Sequence, residues 1–367
     1  MFFHKSAPVA LIALMLSMGS AAHAQTQDIS ERLTPLIAQT DVPALAVLTI
    51  RDGQIAAQGV AGVRDLKSQV PAQKDDVWHL GSDGKAMTAT LIATLVEKGV
   101  LSWDAPLSQM LPQMADMRPE YRDVRLEDLL SHRAGLPDIT SMEDTLAYFQ
   151  DTRPLPVQRQ EYAAKILAME PVGPLRAAGQ YSNGGYVIAG VIAESITGRA
   201  YEDLMQDYVF GPLGMTTARL GATPEGQPLG HEAGQPLTGL MADNPAVLSP
   251  AGTFHMSMED WARFALDQLA GTKGEKALLS PASYQRLQTA QGDTRNALGW
   301  GAVPALRGIE GQFLTHVGSN GYWNALIVLR RENSSGILAV MNCGSDCQSP
   351  QVTKAVLDSF LTETVAD

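Results

Sequence analysis

The chain has 367 residues, 45% of them hydrophobic, with a formal net charge of −12 and two cysteines. An acidic chain without a basic stripe excludes nucleic acid and anionic membrane surfaces as partners. The length and apolar content fit one large domain with a substantial core.

The opening, MFFHKSAPVALIALMLSMGSAAHAQ, sets Lys5 before an apolar run and ends in the small-x-small site Ala22-His23-Ala24. This predicts a signal peptide over 1–24, cleaved near Ala24, and a periplasmic or secreted chain over 25–367. No later stretch approaches the roughly 18 apolar residues of a membrane span. Ile29, Leu33, Leu36 and Ile37 share one helical face. ALAVLTIRDGQIAAQGVAGV then reads as two strands around an Asp52-Gly53 hairpin turn. In HLGSDGKAMTATLIATLVEKGVL, Met87, Leu91, Leu95, Ile92 and Val96 predict a helix from about Ser82 until Gly99.

Farther on, GQYSNGGYVIAGVIAESITG predicts a turn and then a helix with Val187, Val191 and Ile192 inward, ended by Gly198. QFLTHVG, YWNALIVLRR and SGILAVMN are three strand-like runs, the last two joined by the polar turn Glu332 to Ser335. A last helix carries Val352, Val356, Leu357 and Phe360 on its inner face. Cys343 and Cys347 allow a local disulfide or free thiols; with no HExxH and no nearby histidine, neither metal nor cofactor is expected. The layout is α+β: one antiparallel sheet built from about 25–81 and 291–367, flanked by N- and C-terminal helices. An all-helical subdomain over about 82–290 lies beside it in a single catalytic domain, with the site in the cleft between.

Two familiar motifs fail here. A P-loop needs glycine where His79 stands and Ser or Thr where Ala86 stands, and a nucleophile elbow needs glycine at Leu80. Ser82-x-x-Lys85 has its own physics: residues three apart share a helical face, and a dry helix N-terminus disfavours ammonium. The lysine amine then takes the serine proton. Taken alone, the same four residues also read as an ordinary helix start. Tyr181 and Asn183 lie in a turn that can aim a phenol and a carboxamide into a cleft, or simply cap a helix. His316 sits at a strand end, beside Gly318, which permits close backbone approach.

GSDGKAMTATLIATLVEKGVLSWDAPL, LEDLLSHRAGLP, YSNGGYVIAGVIAESITGRAYEDLMQDYVFGPLGM, LSPAGTFHMSMEDWARFAL, ALGWG and HVGSNGYW occur in that order. Together they resemble the serine β-lactamase-related family: class C β-lactamases, D-alanyl-D-alanine carboxypeptidases, D-aminopeptidases and related esterases. The resemblance implies a serine hydrolase with Ser82 acylated and Lys85 and Tyr181 as acid/base groups. Asn183, His316, Gly318, Ser319 and Tyr322 become substrate-binding, with the Ser82 and Ser319 amides as oxyanion hole. The implied partner is a small-molecule or peptide substrate: an ester, a D-amino acid peptide or a β-lactam. Where family β-lactamases carry a lysine, this chain has His316, expected neutral beside Lys85, which favours ester or peptide over β-lactam. Alternatives are a class C-type β-lactamase and a non-catalytic penicillin- or wall-fragment-binding module.

Two further departures from the family pattern stand out. Gly84 replaces a usual Thr or Ser, and Asp83, on helical spacing, is expected to point about 100° away from the cleft. His132 is read as a loop-fixing group. Trp300, Tyr322 and Trp323 line the cleft mouth or pack the sheet, and His79, His231 and His255 have no partner at meaningful sequence spacing.

Overall fold

The computed structural model describes Met1 and residues 26–139, 141–177 and 179–365, so the expected signal peptide lies outside the described residues. Strand β1 (Gln27–Asp28) and helix α1 (Ser30–Ile37) precede the hairpin of β2 (Ala44–Arg51) and β3 (Gln54–Gly62). Asp52 and Gly53 turn it with φ of 49° and 70°, the left-handed pair that a type I′ turn requires. Strand β4 (Val77–Gly81) leads into helix α2 (Gly84–Glu97). Helices α3 (Leu155–Ala168) and α4 (Asn183–Thr197) follow, then strands β5 (Arg219–Leu220) and β6 (Phe254–Ser257) and helix α5 (Met258–Gly271). The chain closes with β7 (Gly301–Leu306), β8 (Ile309–Gly318), β9 (Asn324–Arg330), β10 (Ser335–Met341) and helix α6 (Ser349–Val365).

The main sheet has the order β1-β3-β2-β10-β9-β8-β7. Every neighbouring pair is antiparallel except the short edge pair β1–β3. Pairing of β10 with β2, from Gly336↔Ile50 to Met341↔Leu45, stitches the two ends of the chain together. Alternation along β2 sorts its side chains between two cores. Leu45 and Val47 join Leu33, Val352, Val356 and Phe360 under α1 and α6, whereas Ala46, Leu48 and Ile50 join the larger core with α2 and α4. The α+β expectation therefore holds.

The details differ in four places. Helix α2 starts at Gly84, with Ser82 and Asp83 in the turn before it. It is also buried on all sides from Gly84 to Leu95 rather than along one stripe. Its Thr90 and Thr94 hydroxyls donate to Ala86 O and Thr90 O, both at 2.9 Å, which lets polar side chains sit in the core without orphaned groups. The helical region carries a small additional sheet of order β4-β6-β5. Strand β7 carries Pro304 and only partly buried or exposed side chains, as an edge strand permits, so no alternating pattern announced it. Cys343 and Cys347 form a disulfide, resolving that choice. Among the described residues no helix is long and apolar enough to cross a membrane.

Candidate active site

Ser82 sits at the turn between β4 and α2, and the tight fit there explains its glycines. Gly81 has φ of 52°, and a Cβ on it would meet Ser319 N at 2.5 Å. A Cβ on Gly318 would collide with Leu80 O and approach Asp83 N to 2.8 Å. Gly318 therefore admits the nucleophile turn of the protein itself, bringing the Ser82 and Ser319 backbones alongside one another. At Gly84 a Cβ would fall inside the Phe254 ring; that ring fills the space of the family's usual Thr or Ser.

Lys85 is fully buried and its Nζ lies 3.0 Å from Ser82 Oγ, 2.8 Å from Asn183 Oδ1 and 2.6 Å from Ala251 O. Burial lowers its pKa from the usual 10.5 to about 7, against the opposing charges of Asp138 and Asp83. A neutral amine has two N–H groups and one lone pair. The Ala251 and Asn183 oxygens can only accept, so they take the two hydrogens and the lone pair faces the Ser82 hydroxyl. The Tyr181 hydroxyl donates to Ser82 Oγ at 2.7 Å. Desolvation of the hydroxyl raises its pKa to about 12 although the residue as a whole is half exposed, so it is a proton donor at neutral pH, while its ring lies 4.8 Å from Lys85 Nζ.

Two further residues support the site, of which Asp138 was not legible in the sequence. Asp138 accepts from Asn183 N at 3.1 Å, Asn183 Nδ2 at 3.3 Å and Gly184 N at 3.0 Å. It thereby satisfies the first amides of α4 and turns Asn183 Oδ1 toward Lys85. His132, with φ of 60°, stacks on the Tyr181 ring at 4.5 Å. Its Nδ1 accepts from Ser182 N at 3.2 Å and its carbonyl from Gln180 N at 2.8 Å. Burial, with the nearby Lys85 and His316 charges, holds His132 near 3. It is a neutral group that fixes the Tyr181 loop, as read from the sequence, and it also forms the floor of the phenol. Asp138 lies in AGLPDIT, where no local signal distinguishes it from a turn residue.

His316 places Nδ1 at 2.8 Å from Gly299 O. A carbonyl only accepts, so Nδ1 carries the hydrogen and Nε2 is a bare lone pair. Burial, with Lys85 adding to it, lowers the ring to about 4. A pocket of about 150 Å³ is lined by Ser82, Asn183, Asn244, Leu248, Ala251, Gly252, Ser319 and Asn320. It contains no Lys or Arg. Neither His316 nor Tyr322 lines it; Tyr322 is partly buried beside Gly230, while Trp300 and Trp323 are core residues.

Asp83 precedes α2 with helical φ and ψ of −61° and −23° and does not line the pocket. It is 2% exposed, and neither carboxylate oxygen has a partner among the described residues. Burial pushes its carboxyl well above the usual carboxylate range, with the Lys85 charge opposing. A carboxyl with a raised folded pKa loses stability as pH climbs above the unfolded value near 3.8. Asp83→Asn is therefore expected to raise the melting temperature by roughly 2–4 °C at pH 8, on the order of 1 kcal/mol for a domain this size. The gain should vanish near pH 4 in thermal scans; an equal gain at both pH values would contradict it.

The other histidines do have partners, all distant in sequence. His79 Nε2 lies 2.7 Å from Asp243 Oδ1. His231 bonds Asn342 O at 2.8 Å and accepts from Leu66 N at 3.1 Å, and His255 bonds Gly221 O at 2.8 Å.

The Beta-lactamase family model matches residues 29–358. The chain belongs to this family. It is 28% identical over 346 residues to penicillin-binding protein 4 of Amycolatopsis lactamdurans, covering 85% of this chain and 83% of that one. It is 25% identical over 279 residues to an unguisins hydrolase of Aspergillus campestris, covering 72% of this chain but only half of that protein. The octameric penicillin-binding protein homologue from Pyrococcus abyssi superposes with a TM-score of 0.72 at 21% identity, covering 90% of this chain and 76% of that one. That likeness is one of fold. As a member, this chain is a serine hydrolase of the β-lactamase-related family.

Proposed function

We propose that the chain is an exported hydrolase that cleaves an ester or amide through an acyl-enzyme on Ser82. The observation that carries this reading is Lys85 Nζ at 3.0 Å from Ser82 Oγ, with Asn183 Oδ1 at 2.8 Å and Ala251 O at 2.6 Å placed to accept the two hydrogens of a neutral amine. In acylation Ser82 Oγ attacks the substrate carbonyl carbon and its proton passes to Lys85 Nζ. The carbonyl oxygen becomes an oxyanion received by the Ser82 and Ser319 amides. The tetrahedral intermediate collapses as the leaving group takes a proton from Tyr181, which Lys85 resupplies. Water then repeats the sequence on the acyl-enzyme, releasing the acid and restoring Ser82.

Substrate choice follows from charge. Lys85 spends its hydrogens within the protein, His316 spends its own on Gly299 O, and no cation lines the pocket. A substrate carboxylate finds neither an ammonium nor an imidazole N–H there, so esters and D-amino acid peptides or amides with no free carboxylate near the scissile bond are favoured over β-lactams, whose carboxylate needs a charge-assisted partner.

Intact-mass spectrometry after a fluorophosphonate probe should show one adduct, on Ser82 and absent in Ser82→Ala. An unlabelled, folded wild type would instead support the non-catalytic binding module. In a panel of p-nitrophenyl acetate, D-amino acid peptides and a chromogenic cephalosporin, the cephalosporin should turn over slowest; ranking first would indicate the class C-type alternative.

A further inference from the structure

Asp243 has no part in the chemistry above, yet it is buried between the two strands that frame the site. It is 7% exposed, and its Oδ2 has no hydrogen-bond partner among the described residues. A buried carboxylate with an orphaned oxygen costs stability, and its other oxygen shows what it holds. Asp243 Oδ1 lies 2.7 Å from His79 Nε2 and accepts from Asn244 N at 2.6 Å and Asn320 Nδ2 at 3.4 Å.

Each contact leads to an amide of the oxyanion pair. His79 Nδ1 accepts from Gly81 N at 3.1 Å, which leaves the ring hydrogen on Nε2; Nε2 lies 2.7 Å from Asp243 Oδ1 in a close contact that is not aligned as a hydrogen bond. Gly81 directly precedes Ser82. Asn320 directly follows Ser319, and its Oδ1 accepts from Tyr322 N at 3.1 Å, closing the turn. Asn244 Nδ2 donates to Gly252 O at 2.9 Å. Gly252 lies against the same backbone: its Cβ would meet Ser82 N at 3.3 Å. Asp243 is 161 residues from Ser82 and 77 from Asn320 along the chain.

We infer that Asp243 is the positioning residue of the oxyanion hole, fixing the Ser82 amide through His79 and the Ser319 amide through Asn320. This rests on the acyl-enzyme reading, because the spacing of two amides matters only where a developing oxyanion must be met. Such a residue acts in the transition state and leaves substrate binding nearly untouched.

The test compares wild type, Asp243→Ala and Asp243→Asn in p-nitrophenyl acetate turnover, in the rate of fluorophosphonate labelling, and in melting temperature. Asp243→Ala should lower kcat about 10- to 100-fold with KM within about twofold, as for a misplaced oxyanion donor, and slow labelling to match. Asp243→Asn, which keeps the acceptor for both arms, should recover most of the rate. A folded Asp243→Ala with unchanged kcat and labelling, or with a raised KM alone, overturns the inference. Should Asp243→Ala not fold, Asn320→Ala cuts one arm, and unchanged labelling there also overturns it. Failure of wild type to label at Ser82 would instead strike the acyl-enzyme reading.

Discussion

The rate of ester hydrolysis is expected to rise about tenfold per pH unit below pH 7 and to level off above it, because only the neutral Lys85 amine accepts the Ser82 proton. Burial holds that amine near 7. The other groups around Ser82 titrate elsewhere: His132 near 3, His316 near 4 and Tyr181 near 12. Asp83 is the group to control for, and the limb near pH 7 should persist in Asp83→Asn. Lys85→Met should lose about 10²–10⁴-fold in kcat and its pH dependence with it, as expected for a removed general base. A wild-type rate constant from pH 5 to 8, or a midpoint near 10, would contradict this role.

The same lysine makes an opposite prediction for stability. Its pKa is depressed on folding, so between about 7 and 10.5 the unfolded chain binds the extra proton and stability rises with pH across that window. Below pH 7 the full penalty applies, on the order of 4–5 kcal/mol for a shift of this size. Lys85→Met should accordingly unfold at higher urea than wild type at pH 6, with the advantage shrinking toward pH 10. A less active but more stable variant is the usual mark of a site that carries strain for function.

The largest loss of stability is expected at Arg159. It is fully buried and bonds Glu194 at 2.6 and 3.2 Å and Glu202 at 2.8 and 2.9 Å. Glu194 Oε1 also accepts from Tyr201 N at 2.9 Å, and the Tyr201 hydroxyl is 2.7 Å from Thr88 Oγ1 on the nucleophile helix. Arg159→Ala leaves two carboxylates facing each other with Glu194 buried. Removing one partner of a buried ion pair costs about 3–5 kcal/mol, a large share of the 5–15 kcal/mol typical of a folded domain. Urea unfolding should show that loss, with Arg159→Lys in between because it keeps the charge without the fork. A midpoint equal to wild type would mean that the network contributes nothing.

What the sequence by itself determined is local. The type I′ hairpin at Asp52-Gly53, the strands from Ile309 to Met341 and the helices inside 84–97, 183–197 and 349–365 rest on periodicity and turn chemistry, which act over a few residues. Ser82, Lys85, Tyr181 and Asn183 were legible only as a set, through the family's motif order. Which way a side chain points at a turn was not legible. Asp83 was expected to face away on helical spacing, and it does hold helical angles just before α2 (φ −61°, ψ −23°); what the sequence did not show is that its carboxyl is buried without a hydrogen-bond partner among the described residues. Asp138 and Asp243 act through partners about 45–165 residues distant, at positions where a turn residue looks the same whether or not it holds an active site. Only tertiary packing decided those roles. It brought Tyr181 and Ser82 to 2.7 Å, buried Lys85 deeply enough to strip its proton near neutrality, and left His316 with a lone pair in place of a charge. Desolvation depends on everything that surrounds a group, and no stretch of chain carries that information alone.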